Sequence, residues 1–106
     1  MGWPDDEDGD VFRRLELNKF DFSREYEIDF NVEFETWPPQ MEALGVLRDR
    51  YGNIRVIEPG DDYNGYVQLS IVKKLNYPLV IEIQDIVSRL MAPYGGVCDS
   101  WGVMQD

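Results

Sequence analysis

Residues 26–35 constrain the fold more than any other part of the chain, because apolar and polar residues alternate there without a break. The even positions are apolar: Tyr26, Ile28, Phe30, Val32 and Phe34. The odd positions are polar: Glu27, Asp29, Asn31, Glu33 and Glu35. Successive side chains of a strand point to opposite faces, so this pattern predicts a strand with one face in the core. The other face would carry four carboxylates and one amide.

The remaining elements follow from helical spacing and from turn residues. Three helices are predicted: one over residues 11–18, one that Pro38 and Pro39 open, and one that begins at residues 76–78 and is ended by Pro93 and the Gly95-Gly96 pair. Three further strands are predicted, over residues 54–58, 66–75 and 97–104. Asp8 or Asp10 would cap the first helix, and Gly52 would end the second.

The order of these elements predicts the fold class. After the first helix it reads strand, helix, strand, strand, helix, strand, and each strand-helix-strand unit favours a right-handed crossover. The compact solution is an α+β, ferredoxin-like sandwich, a four-stranded antiparallel sheet with two helices on one face, plus a short N-terminal helix. Residues 1–9 are predicted to form a flexible acidic N-terminus, and residues 10–106 a single domain of ordinary size.

The charge balance limits the partners that the chain can bind. Acidic residues outnumber basic ones by 21 to 10, which gives a formal net charge of -11. Direct binding to nucleic acid is disfavoured, because neutralising phosphates requires clustered Lys and Arg. A basic protein surface or a cation suits an acidic domain better, although charge that serves only solubility gives the same composition.

The residues that most often carry catalysis or bind metals are scarce. There is no histidine, which removes the commonest general base and metal ligand. The single cysteine, Cys98, cannot form an internal disulfide, so we expect a reducing, cytoplasmic environment and a small packed thiol. The acidic run from Asp5 to Asp10 does not match a calcium-binding loop, and no apolar run could span a membrane. The sequence therefore predicts a protein that is not an enzyme, with neither a metal nor a cofactor.

Three segments carry a resemblance to a known family. The first is Tyr94-Gly95-Gly96-Val97-Cys98-Asp99-Ser100-Trp101-Gly102. The second is Asp8-Gly9-Asp10-Val11, and the third is Phe20-Asp21-Phe22-Ser23 followed by Ile28-Asp29-Phe30. Together they resemble the regulator of ribonuclease E activity B family. The resemblance implies a ferredoxin-like sandwich, and a protein that binds the endoribonuclease ribonuclease E and restrains RNA decay.

We predict a contact surface for a protein partner with a basic surface, which the resemblance implies is a ribonuclease. Its residues are Glu27, Asp29, Glu33, Glu35, Asp99 and Trp101. The carboxylates would pair with Arg or Lys, giving steering and specificity more than raw affinity. A monomer is favoured over a dimer formed through this face, because the carboxylates of one copy would meet those of the other.

Two alternatives stay open at this point. Trp101 shares strand parity with Val97 and Val103, which favours burial, but also with Asp99, which favours exposure. The second alternative concerns function: a small-ligand-binding or enzymatic domain would place a pocket near Asp99 and Cys98, between the sheet and the opening helix.

Overall fold

The computed structural model describes residues 3–103, which form three α-helices and a four-stranded sheet. The helices are α1 (Glu7–Leu17), α2 (Met41–Tyr51) and α3 (Tyr77–Met91), and a 3-10 turn, Ala92–Tyr94, follows α3. The strands are β1 (Glu25–Phe34), β2 (Ile54–Ile57), β3 (Tyr66–Lys74) and β4 (Gly96–Val103). Met104, the predicted end of the last strand, lies outside the described residues.

The sheet has the order β2-β3-β1-β4, and all neighbouring strands are antiparallel. The predicted α+β, ferredoxin-like sandwich is therefore confirmed. The alternation in β1 has the predicted result, because Ile28, Phe30 and Val32 are fully buried while Glu27 and Glu33 are exposed. Within residues 3–103, no helix has the length and apolar character needed to cross a membrane.

All three helices pack on the same side of the sheet. Leu47 of α2 and Val87 of α3 are fully buried against the inner strand residues. From α1, Phe12 is fully buried, and its ring centroid lies 5.5 Å from that of Trp101. Trp101 pairs with the buried Phe30 across the sheet, so α1 lies on the helical side. No helix among residues 3–103 covers the opposite side, which we call the open face.

The first helix begins four residues earlier than the prediction, and its cap is a different residue. Asp6, rather than Asp8 or Asp10, is the N-cap, and its Oδ1 accepts a hydrogen bond of 2.7 Å from the Gly9 N–H. The prediction was wrong because apolar periodicity begins only at Val11, whereas capping and the helix dipole stabilise an acidic first turn. Trp3 packs against the helix, with its ring centroid 4.8 Å from that of Phe12.

The last strand contains a β-bulge that the prediction missed. Asn31 pairs with Ser100 and Val32 pairs with Cys98, which leaves Asp99 as the extra residue. Because one residue is inserted, the part of β4 on one side of the bulge points to the face opposite the one that simple alternation predicts. The prediction that Val97 and Trp101 lie on the same face of the sheet is wrong. Trp101 lies on the helical side, whereas Val97 lies on the open face and is 46% exposed.

The outer edge of β4 is hydrogen-bonded to α3 at one position. The Ser88 hydroxyl accepts a hydrogen bond of 2.9 Å from the Cys98 N–H and donates one of 3.3 Å to the Cys98 carbonyl. Both backbone groups point away from β1, so this side chain satisfies polar groups that an edge strand would otherwise leave unpaired.

Candidate protein-binding surface

The centre of the open face is a ladder of polar side chains across three strands. Gln68 donates from Nε2 to Oδ1 of Asn31 over 3.1 Å, and Asn31 donates from Nδ2 to the Ser100 hydroxyl over 3.1 Å. At the next cross-strand pair on the same face, the Ser70 hydroxyl donates a hydrogen bond to Oδ1 of Asp29. These bonds fix the amide and one carboxylate in place, so the middle of the face is an ordered polar surface.

Glu27 and Glu33 lie on either side of this ladder and are exposed. Their cross-strand neighbours are apolar, Val72 beside Glu27 and Val97 beside Glu33. The ion pairs within 4.0 Å in residues 3–103 join Arg13 to Asp5 and Asp10, and Arg89 to Asp85. None of them involves a carboxylate of the open face, so these groups are free to pair with a partner.

The structure brings most of the predicted contact residues together, but not all of them. Glu27, Asp29 and Glu33 project from the open face of β1. Glu35 follows the end of that strand, where its N–H donates a hydrogen bond of 2.9 Å to the Gly95 carbonyl. Asp99 is the exposed bulged residue of the neighbouring edge strand.

Trp101 lies on the other side of the sheet from these carboxylates. It is half-buried beneath α1, and its Nε1 donates a hydrogen bond of 2.8 Å to Oδ1 of Asp8. Asp8 also accepts a longer hydrogen bond of 3.3 Å from Gln84 of α3. Trp101 therefore connects the edge strand to the first and third helices, and the acidic start of α1 is part of the packed structure.

Sequence reasoning did not find the depression beside the end of β1. It has a volume of about 400 Å³ and is lined by Glu33, Phe34, Glu35, Ala92, Gly95, Gly96 and Val97. The sequence signal is the Gly95-Gly96 pair, whose local pattern predicts only the end of a helix. Gly95 has a φ of 75°, and a Cβ at Gly96 would lie 2.8 Å from both Met91 Cβ and Phe34 Cε1. These glycines therefore let the turn approach the end of β1 closely.

The alternative hypothesis of a pocket near Asp99 and Cys98 is not supported. Aromatic rings fill the space between α1 and the sheet, with the centroid of Phe12 lying 6.0 Å from that of Tyr77 and 5.5 Å from that of Trp101. Cys98 is 4% exposed, as predicted for a packed thiol, and its burial raises its pKa to about 12. Such a thiol is protonated and unreactive at neutral pH. Among residues 3–103, no group of three or more His, Cys, Asp or Glu side chains is arranged to hold a metal ion.

The comparisons with known proteins give a match at the level of the family. The family model described as "Regulator of ribonuclease activity B" matches residues 5–103, which is nearly the whole chain. No curated protein and no solved structure matches the chain.

Proposed function

The chain belongs to the regulator of ribonuclease activity B family, and on that premise we propose that it is a non-catalytic regulator that binds ribonuclease E. The family regulates the activity of that enzyme, which implies a protein partner. The single observation that carries the proposal for this chain is its open face. An ordered, uncovered sheet surface bears carboxylates that have no ion-pair partner among residues 3–103.

We assign the contact to the carboxylates of this face and its border. They are Glu27, Asp29, Glu33, Glu35 and Asp99. A basic surface on the enzyme complements them, since the chain carries a net charge of -11. Trp101, the sixth predicted contact residue, would support this surface from the helical side by holding β4 against α1 through Asp8.

Charge reversal on the open face tests this proposal. We expect Glu27→Lys with Glu33→Lys to weaken binding to purified ribonuclease E of the same organism by about tenfold or more at low salt, and to flatten the salt dependence. Surface plasmon resonance at two salt concentrations measures both effects. Inhibition of RNA cleavage should fall in parallel.

The matched control reverses two exposed carboxylates on the helices, Glu16→Lys with Glu82→Lys, which changes the net charge by the same amount. It should retain most of the binding, because these groups lie away from the open face. Equal losses in the two variants would show that only overall charge matters. Unchanged binding in the first variant would exclude the face itself.

A further inference from the structure

Two depressions border the end of β1 and share part of their lining, and together we call them the end groove. The first, of about 400 Å³, is the depression between Glu33, Glu35 and the Gly95-Gly96 turn. The second, of about 250 Å³, is lined by Phe34, Glu35, Trp37, Pro59, Asn64 and Gly65. Phe34 and Glu35 line both. The end groove therefore extends the open face beyond the last residue of the strand.

The walls of the end groove are held by contacts within the protein. The Glu35 N–H donates to the Gly95 carbonyl over 2.9 Å, which ties the end of β1 to the turn before β4. On the other side, Trp37 packs on Gly65, where a Cβ would lie 2.7 Å from the ring, and its Nε1 donates to Glu58 over 3.2 Å. A groove that is formed in the free protein costs little ordering when a partner binds.

The lining of the groove combines apolar surface with two acidic groups. Val97 is 46% exposed and borders Glu33, its cross-strand partner. The Glu35 carboxylate lies over the turn, with Oε2 3.7 Å from the position of a Cβ on Gly95. Arg and Lys side chains have an apolar stem and a charged head, so they match an apolar floor edged by carboxylates. Arg can also stack on the ring of Trp37.

We propose that the end groove binds a protein segment in which Arg side chains stand next to apolar ones. The inference rests on the proposed function, because it names the chemistry of the partner at the same surface. Charge complementarity selects this occupant: phosphate groups of a nucleic acid or of an anionic membrane would meet Glu33 and Glu35. A second copy of the chain would bring like charges together at the same two residues.

Synthetic peptides of defined composition are the probes that test this inference. The first alternates Arg with Leu over about ten residues, the second has Ser in place of every Leu, and the third has Glu in place of every Arg. Binding is followed by two-dimensional NMR on the full chain labelled with nitrogen-15. We expect the Arg/Leu peptide to shift the amides of residues 33–35 and 95–97, and to bind about fivefold or more tightly than the Arg/Ser peptide. The Glu/Leu peptide should not bind.

Two variants and one matched control locate the binding within the open face. Glu35→Gln should reduce the affinity for the Arg/Leu peptide about threefold or more, because the substitution removes a charge but keeps the shape of the side chain. Val97→Ser should reduce the difference in affinity between the Arg/Leu and the Arg/Ser peptides. The control is Val72→Ser, at a valine that is 64% exposed elsewhere on the open face, and it should leave that difference unchanged. Equal affinity for the Arg/Leu and Arg/Ser peptides, or shifts centred away from the groove, would overturn the inference. If ribonuclease E binding still depends on Glu27 and Glu33 in that case, the proposed function stands and only the end groove is excluded.

Discussion

Removal of the Asp8 carboxylate is the most direct test of how the first helix is attached to the sheet. In Asp8→Ala, the Trp101 Nε1–H loses an acceptor at 2.8 Å. A hydrogen bond to a charged group is worth about 1.5–3 kcal/mol, and we take the lower end because Asp8 is only half-buried. Asp8 also lies in the first turn of α1, where a negative charge adds about 0.3–1 kcal/mol. The free energy of unfolding should therefore fall by about 2 kcal/mol.

The matched control is Asp10→Ala, which removes the same charge from the same first turn. Asp10 pairs with Arg13 at the surface instead of with the tryptophan, so its loss should be smaller. A double-mutant cycle of Asp8→Ala with Trp101→Phe then isolates the link, and we expect a coupling free energy of about 1 kcal/mol. Urea unfolding measures each free energy, and each kcal/mol should appear as a shift of about 4–8 °C in Tm.

The reasoning fails if the coupling free energy is zero, or if Asp10→Ala costs as much as Asp8→Ala. Either result would mean that the acidic first turn acts only through the helix dipole. Trp101 would then lack its anchor, and its assignment as a support for β4 would have to be abandoned. Ribonuclease E binding by Trp101→Phe provides an independent readout of that assignment.

Three further outcomes are expected. The hydrogen bond to Asp6 raises the pKa of Tyr77 from 10.0 to about 12. The stabilisation of the folded state by this bond is therefore present below pH 10.0 and is lost as the pH rises through about 12. The same bond lowers the pKa of Asp6 from 3.8, so this part is present above pH 3.8 and is lost as the pH falls below it. Tyr77→Phe should therefore reduce the dependence of the free energy of unfolding on pH in both the acidic and the alkaline range, as measured by urea unfolding. An unchanged pH dependence would contradict the hydrogen bond between Tyr77 and Asp6. Cys98, with its pKa raised to about 12 by burial, should react with iodoacetamide at neutral pH only after unfolding, and fast labelling of the folded chain would disprove its packing. Gly96→Ala should cost about 1–3 kcal/mol of unfolding free energy, because the new Cβ would lie 2.8 Å from Met91 Cβ, and an undiminished Tm would show that the turn can relax.

The sequence predicts the sheet best where a strand separates two different environments. β1 has the core on one side and solvent on the other, so its alternation predicts both where the strand lies in the chain and which of its side chains face the core. This strand also supplies three of the predicted contact residues, and Glu35 directly follows it. Prediction of the carboxylate surface therefore depended on local pattern alone.

The features that sequence reasoning missed depend on residues far apart in the chain. Several acidic residues near the N-terminus could cap α1, and the choice of Asp6 agrees with its hydrogen bond to Tyr77, 71 residues away. The bulge at Asp99 adds one residue without changing the composition of the strand, so a parity rule cannot locate it. The end groove exists only because the Gly95 turn folds back onto the end of β1, which no local pattern records.

The hydroxyl of Ser88 has a consequence for association between copies of the chain. A sheet edge with unpaired backbone groups attracts the edge of another sheet, and a regulator with an uncovered face would be exposed to such self-recruitment. At Cys98, the backbone groups that a second strand would need are already bonded to Ser88. The Ser88 side chain of α3 thus prevents edge-to-edge pairing of a second copy at this position. The adjacent acidic surface stays accessible to a different protein.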